Sequence, residues 1–160
     1  MCNFKSAWVK RNGDIIMSPY IDSHEMLNRA YSITKDDIAG RLQNAIRIEF
    51  FPTKDILDVD SYKLNVDEKE IPDWFDSAMR FDITERMKEK IKAMIILDDV
   101  GCIIEGQWII AGNAKVNLIC GSAQIGSVYG SAQIGLVCDS AQIGLVCGSA
   151  KIERDLRKTQ

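Results

Sequence analysis

The chain has 160 residues, of which 46% are hydrophobic and 27% charged, with a formal net charge of −3. This length and composition suit a globular protein that buries a core without disulfide or metal staples, and the weak negative charge argues against direct nucleic-acid binding through phosphate contacts. The sequence has no apolar run of the roughly eighteen residues that span a bilayer and no apolar leader, so we expect a cytoplasmic protein with no membrane partner.

The N-terminal part of the sequence predicts a small α+β domain of the ββαββα type, residues 1–98. Two β-prone runs joined by Asn12-Gly13 form a hairpin signal, and Asp22 or Ser23 can cap a short helix that follows. Alternating apolar residues then predict two half-buried strands. A longer helix closes the domain, with Ile83 and Ile91 on one apolar stripe.

The sequence then changes to five nonapeptides, GNAKVNLIC, GSAQIGSVY, GSAQIGLVC, DSAQIGLVC and GSAKIERDL, over residues 112–156. A fixed short period is typical of stacked coils. Positions three and five of each nonapeptide are one polar residue apart and therefore face the same side of a strand, with position eight as a third inward residue. We predict a short parallel β-solenoid over residues 99–153, with about 18 residues in each of two or three turns.

Other features of the repeat fit this geometry. Glycines at positions one and six are expected to form the corners, where φ is often positive. The predicted turn places Gln124 above Gln142 in neighbouring coils. The charged residues 154–160 are expected to form a cap or short helix over the last coil, whose backbone edge would otherwise be unpaired.

An apolar outer face is the main candidate binding feature. If position eight faces inward, positions seven and nine line the outside of the solenoid, and the residues concerned are Tyr129, Leu136, Cys138, Leu145 and Cys147. An apolar stripe on such a face is typical of an interface, which favours a protein partner or self-association as a homodimer. Covering by the N-terminal domain, or packing in an irregular interior, is the alternative.

The five cysteines form no CxxC pair, and the single histidine, His24, lies near only Cys2 in the sequence. This spacing does not support a structural zinc site, so we expect reduced thiols, no metal and no cofactor. Calcium-binding nonapeptides carry an aspartate in every repeat, whereas here Asp139 is the only acidic residue between Lys115 and Lys151.

Cys2 supports an alternative hypothesis, an enzyme. After removal of Met1, the Cys2 thiol would lie beside a free α-amine that can act as its base, as in N-terminal nucleophile hydrolases. His24 and Glu25 could orient such a site. The simpler interpretation of His24 is a cap or surface residue at the start of a helix.

The chain resembles a group of bacteriophage and prophage proteins. The resemblance lies in "FKSAWVKRNGDII", "DSHEMLNRAY", "IRIEFFP", "YKLNVDEKEIPDWFD" and the SxQIG nonapeptides. It implies a non-enzymatic binder in the host cytoplasm whose partner is a host protein or complex, such as a nucleic-acid-directed defence system. A sponge for a small nucleotide, bound between protomers, is a further alternative.

Overall fold

A computed structural model describes residues 5–19, 21, 23–33 and 44–157. The chain divides into two compact units, an N-terminal unit, Met1–Lys92, and a solenoid unit, Ala93–Gln160. Within the described residues, no helix is both long and apolar enough to cross a membrane.

Four antiparallel strands form the sheet of the N-terminal unit, which we call sheet I. They run in the order β2-β1-β3-β4, with bounds β1 Lys5–Lys10, β2 Ile15–Met17, β3 Ala45–Phe51 and β4 Lys63–Val66. Gly13 turns the predicted hairpin with a φ of 87°, and its N–H donates to the Lys10 carbonyl at 2.8 Å. The hairpin prediction is therefore confirmed for the described residues.

Two α-helices accompany this sheet among the described residues. In α1 (His24–Ala30), the Ser23 hydroxyl caps the helix by accepting from the Met26 N–H at 3.3 Å, and Asp22 lies outside the described residues. A 3-10 turn, Val59–Ser61, precedes β4. The second helix, α2 (Ser77–Met94), buries the predicted stripe through Ile83, Met87 and Ile91. The ββαββα order is confirmed.

The solenoid unit consists of two parallel sheets. Sheet II contains β6 Val100–Ile103, β8 Lys115–Ile119, β10 Gln133–Val137 and β12 Lys151–Asp155. Sheet III contains β5 Ile95–Ile96, β7 Gln107–Ile110, β9 Gln124–Val128 and β11 Gln142–Val146. Gln133 pairs with Lys115 on one side and with Lys151 on the other, so each partner is 18 residues away. The predicted parallel β-solenoid is thereby confirmed, with about three turns.

The solenoid core contains the predicted inward residues. Positions three, five and eight are buried in the interior coils, and these residues are Ala114, Val116, Ile119, Ala123, Ile125, Val128, Ala132, Ile134 and Val137. Strands of both sheets contribute to this single core, so the two sheets face each other across it. Small alanines beside branched residues fit the narrow space between the sheets. Gln124 also pairs with Gln142 as predicted.

The two glycine positions of the repeat have different roles, which corrects the prediction that both form corners. Position one does form a corner, since Gly112, Gly121, Gly130 and Gly148 all have positive φ. At position six, Gly135 lies inside β10 without positive φ, and a Cβ there would lie 2.7 Å from the Asn117 carbonyl oxygen of β8. Glycine is needed at Gly135 because the backbones of β10 and β8 approach closely there.

The C-terminal segment departs in part from the prediction, which ended the solenoid at residue 153 and made residues 154–160 a charged cap or short helix; residues 158–160 lie outside the described residues. Residues Lys151–Asp155 form β12, which pairs in parallel with β10 as a last rung of sheet II. At the other end, β5 pairs with β7, so the solenoid begins before the predicted boundary at residue 98. Both segments join the stack because adding a strand satisfies backbone donors and acceptors that would otherwise be unpaired.

Candidate functional site

The predicted interface residues lie on two different sheets, so the prediction of one apolar outer face is wrong. In sheet II, Leu136 lies on β10 and Cys138 follows it. In sheet III, Leu145 lies on β11 and Cys147 follows it, while Tyr129 follows β9. All five are half-buried. Because each nonapeptide forms only half a coil, consecutive repeats place the same position on opposite sides of the core.

Strand β11 forms one edge of sheet III and exposes the end of the core. Val146 is 39% exposed, whereas the equivalent Val128 and Val137 are 0% exposed. Ile143 is likewise half-buried where Ile125 is fully buried. The segment Gln142–Val146 contains no charged residue, and among the described residues its only sheet partner is β9. We call Ile143, Leu145, Val146 and Cys147 the edge surface.

The neighbouring edge, β12 of sheet II, has a different character. Its exposed side chains include the charged Lys151, Glu153, Arg154 and Asp155. Charges on an edge strand oppose pairing with another chain, because pairing would desolvate them. Of the two edges at this end of the solenoid, β11 is therefore the one that can accept a further strand.

Cys147 contributes to the apolar character of the edge surface. Its N–H donates to the Val128 carbonyl at 2.9 Å and its thiol donates to the same oxygen at 3.7 Å. Burial raises the pKa of the Cys147 thiol. The group is therefore neutral at physiological pH and adds no charge beside Leu145 and Val146.

A second feature lies on the sheet II side, and we call it the thiol cluster: Cys102, Cys120, Cys138 and Asp139. The Sγ atoms of Cys120 and Cys138 and a carboxylate oxygen of Asp139 all lie within 4.8 Å of one another. The Cys102 thiol lies near that of Cys120, and Cys138 lies beside both Cys120 and Asp139. Asp139 Oδ2 also accepts from the Gly121 N–H at 3.4 Å.

The surroundings of Cys120 and Cys138 keep these two thiols protonated. Burial raises the pKa of Cys120, and the neighbouring Cys102 thiol raises it further. Burial also raises the pKa of Cys138, to which the nearby Asp139 charge adds. Sequence spacing alone missed this cluster because no two of its cysteines are close in the chain. The available signal was the predicted turn, since Cys120 and Cys138 are one coil of 18 residues apart.

His24 has a structural position in the N-terminal unit. Its Nε2 lies 3.1 Å from the carbonyl oxygens of both Ala7 and Ile48, which are partners across β1 and β3. Because carbonyl oxygens only accept, Nε2 must carry a hydrogen. Nδ1 faces Asp67 Oδ2 at 3.7 Å. Cys2 lies outside the described residues, so its pairing with His24 remains a prediction.

Asp67 also belongs to an ion-pair cluster with Arg47 and Glu68. The Arg47 guanidinium donates to Glu68 Oε1 at 3.0 Å and to the Asp67 carbonyl at 2.9 Å. The Glu68 side chain is only 3% exposed, and its hydrogen bond raises the pKa of Arg47. These contacts connect β3 to the segment after β4, which makes the cluster part of the structural framework of this unit.

The fold and these two features define the class of the protein: an α+β chain whose solenoid unit carries an uncharged edge strand, β11, and a cluster of thiols. No family model, no curated protein and no solved structure matches the chain.

Proposed function

We propose that this chain is a non-enzymatic binding protein whose solenoid presents the edge surface to a strand of another protein. The single observation that supports the proposal is the uncovered end of the core at β11, where Val146 is 39% exposed although Val128 and Val137 at the same repeat position are fully buried. An apolar, uncharged edge strand offers both unpaired backbone groups and side-chain contacts, the two requirements for binding by strand addition.

The stacked coils suit this role because they hold the edge rigid before binding. Backbone hydrogen bonds join β11 to β9, including those from Gln142 to Ala123 at 2.8 Å and from Cys147 to Val128 at 2.9 Å. A partner strand would therefore meet a preformed template, which lowers the ordering cost of association. Its own side chains would cover Ile143 and Val146.

The nature of the partner follows from the resemblance to bacteriophage proteins. On that basis we propose a host protein, with a nucleic-acid-directed defence complex as the leading class and the host cytoplasm as the location. The enzyme hypothesis at Cys2 receives no support from His24, whose ring nitrogens already face the Ala7 and Ile48 carbonyls and Asp67. The nucleotide-sponge alternative receives no specific support either.

Two matched variants test the edge surface. Leu145→Lys and Leu136→Lys alter the same repeat position within the same QIGLV segment, and both leucines are half-buried. Leu145 lies on the edge strand β11, whereas Leu136 lies on the interior strand β10. A tagged wild-type chain would be used to capture its partner from bacterial lysate, and the captured protein would then be purified and its affinity measured for each variant.

We expect Leu145→Lys to lose affinity at least tenfold through the buried charge it would bring to the interface, about 1.4 kcal/mol or more, and Leu136→Lys to bind as wild type does. A loss of affinity in Leu136→Lys without one in Leu145→Lys would contradict the edge surface as the binding site. Light scattering completes the test: a wild-type dimer that Leu145→Lys makes monomeric would assign the edge to a second copy and overturn the proposal of a foreign partner.

A further inference from the structure

Donor side chains from separate coils converge at the corner where sheet II strands end. Cys120 follows β8 and Cys138 follows β10, so stacking brings together two thiols that are 18 residues apart. Asp139 adds a carboxylate, and the three donor atoms lie within 4.8 Å of one another. Cys102, on β6, adds a third thiol near Cys120.

Asp139 occupies a corner position where the backbone conformation favours glycine. The other nonapeptides begin with glycine, and Asp139 keeps the same left-handed backbone, with a φ of 56°. At the equivalent corners a Cβ would lie 2.5 Å from a carbonyl oxygen at Gly121, 2.8 Å at Gly130 and 2.9 Å at Gly148. A side chain is therefore costly at this corner, and the one present is a carboxylate beside two thiols.

The donor set selects a metal class. Thiolates favour zinc and other soft or borderline cations, and a carboxylate is a common zinc ligand, whereas calcium and magnesium require oxygen donors throughout. In a tetrahedral site with Zn–S bonds of about 2.3 Å, donor atoms are about 3.8 Å apart. The Cys120, Cys138 and Asp139 donors, which lie within 4.8 Å of one another, would need to approach by up to about 1 Å, which side-chain rotation can supply, while Cys102 would need to approach farther.

We propose that Cys120, Cys138 and Asp139 bind one zinc ion, with the Cys102 thiol as the fourth ligand. Binding would release a proton from each thiol that becomes a ligand, and the ion would join β6, β8 and β10 across consecutive coils. The site is independent of the proposed function, because β11, which carries the edge surface, contributes no ligand to it.

The test uses the full chain, reduced with a phosphine and freed of metal. Zinc affinity is measured by competition with a chromogenic chelator, and protection of each cysteine from iodoacetamide is read by peptide mass spectrometry. We expect one zinc per chain and zinc-dependent protection of Cys120 and Cys138. Cys120→Ser and Cys138→Ser should each weaken binding at least about a hundredfold, since losing a second-shell partner alone costs about 10- to 100-fold.

Two further variants keep the test decisive. Asp139→Gly restores the residue found in the other nonapeptides, so it should fold at least as well as wild type while binding zinc at least about tenfold more weakly. Cys147→Ser, on the sheet III side, should bind zinc as wild type does. The proposal is overturned if Asp139→Gly and the cysteine variants keep wild-type affinity, if Cys2→Ser or His24→Ala abolishes binding instead, or if zinc gives wild-type Cys120 and Cys138 no protection.

Discussion

The close approach of strands at position six of the repeat makes Gly135→Ala a direct test of the stacking. A Cβ at Gly135 would lie 2.7 Å from the Asn117 oxygen, about 0.7 Å nearer than ordinary van der Waals contact. Both atoms belong to paired strands, since Ile134 pairs with Val116 and Leu136 with Leu118 on either side of the contact. The strands therefore cannot separate locally without weakening their ladder.

Two opposing effects determine how much Gly135→Ala changes the free energy of unfolding. Overpacking in a well-ordered core costs about 1–3 kcal/mol, and the upper part of that range applies because the added Cβ meets a backbone oxygen held in the strand ladder. Replacing glycine also reduces the freedom of the unfolded chain, which offsets about 0.4–1 kcal/mol. We therefore expect Gly135→Ala to lower the free energy of unfolding of the solenoid unit by about 1–2.5 kcal/mol.

Hydrogen exchange read by mass spectrometry is the appropriate assay, because it reports on β8 and β10 without requiring the two units to unfold together. The predicted free-energy loss corresponds to about 5- to 70-fold faster exchange in these strands. Gly101→Ala is the matched control: a Cβ there would meet nothing within 4 Å. We expect this control to be neutral or to stabilise by up to about 1 kcal/mol. Equal exchange rates in the two variants would refute the close approach of β8 and β10.

Three other predictions concern a core residue, an ion pair and a thiol. Ile134→Ala should destabilise the solenoid by about 2–5 kcal/mol in denaturant titrations, and by more than Ile143→Ala, because Ile134 is fully buried and Ile143 only half-buried. Glu68→Gln should lower the thermal midpoint of the N-terminal unit because it weakens the ion pair with Arg47. Since Arg47 is partly exposed, the free energy of unfolding should fall by about 1–3 kcal/mol. An unchanged midpoint would contradict a stabilising role for this ion pair. Alkylation of Cys147 should be slow at neutral pH, because burial raises the pKa of its thiol and so reduces the thiolate fraction. The rate should rise about tenfold per pH unit. A rate independent of pH between about 7 and about 9 would contradict the raised pKa.

The sequence by itself determined the features that depend on local periodicity. The nonapeptide fixed which side chains face the core, and Ala132, Ile134 and Val137 are buried as predicted. It also fixed the length of a turn, so Gln124 pairs with Gln142. Asn12-Gly13 and the apolar stripe of α2 are equally local signals. Such patterns work because strand and helix geometry alone decides the direction of a side chain.

Only the tertiary structure decided which distant residues meet. Stacking in half-coil steps put Leu136 and Leu145 on opposite sheets, and it brought the Gly135 backbone against Asn117. It also extended β12 through Arg154 and Asp155, which were predicted to belong to a cap, and gathered Cys120, Cys138 and Asp139 at one corner. The physical reason is that these contacts are made between coils, where the path of one backbone past another sets the distance and the local sequence pattern does not.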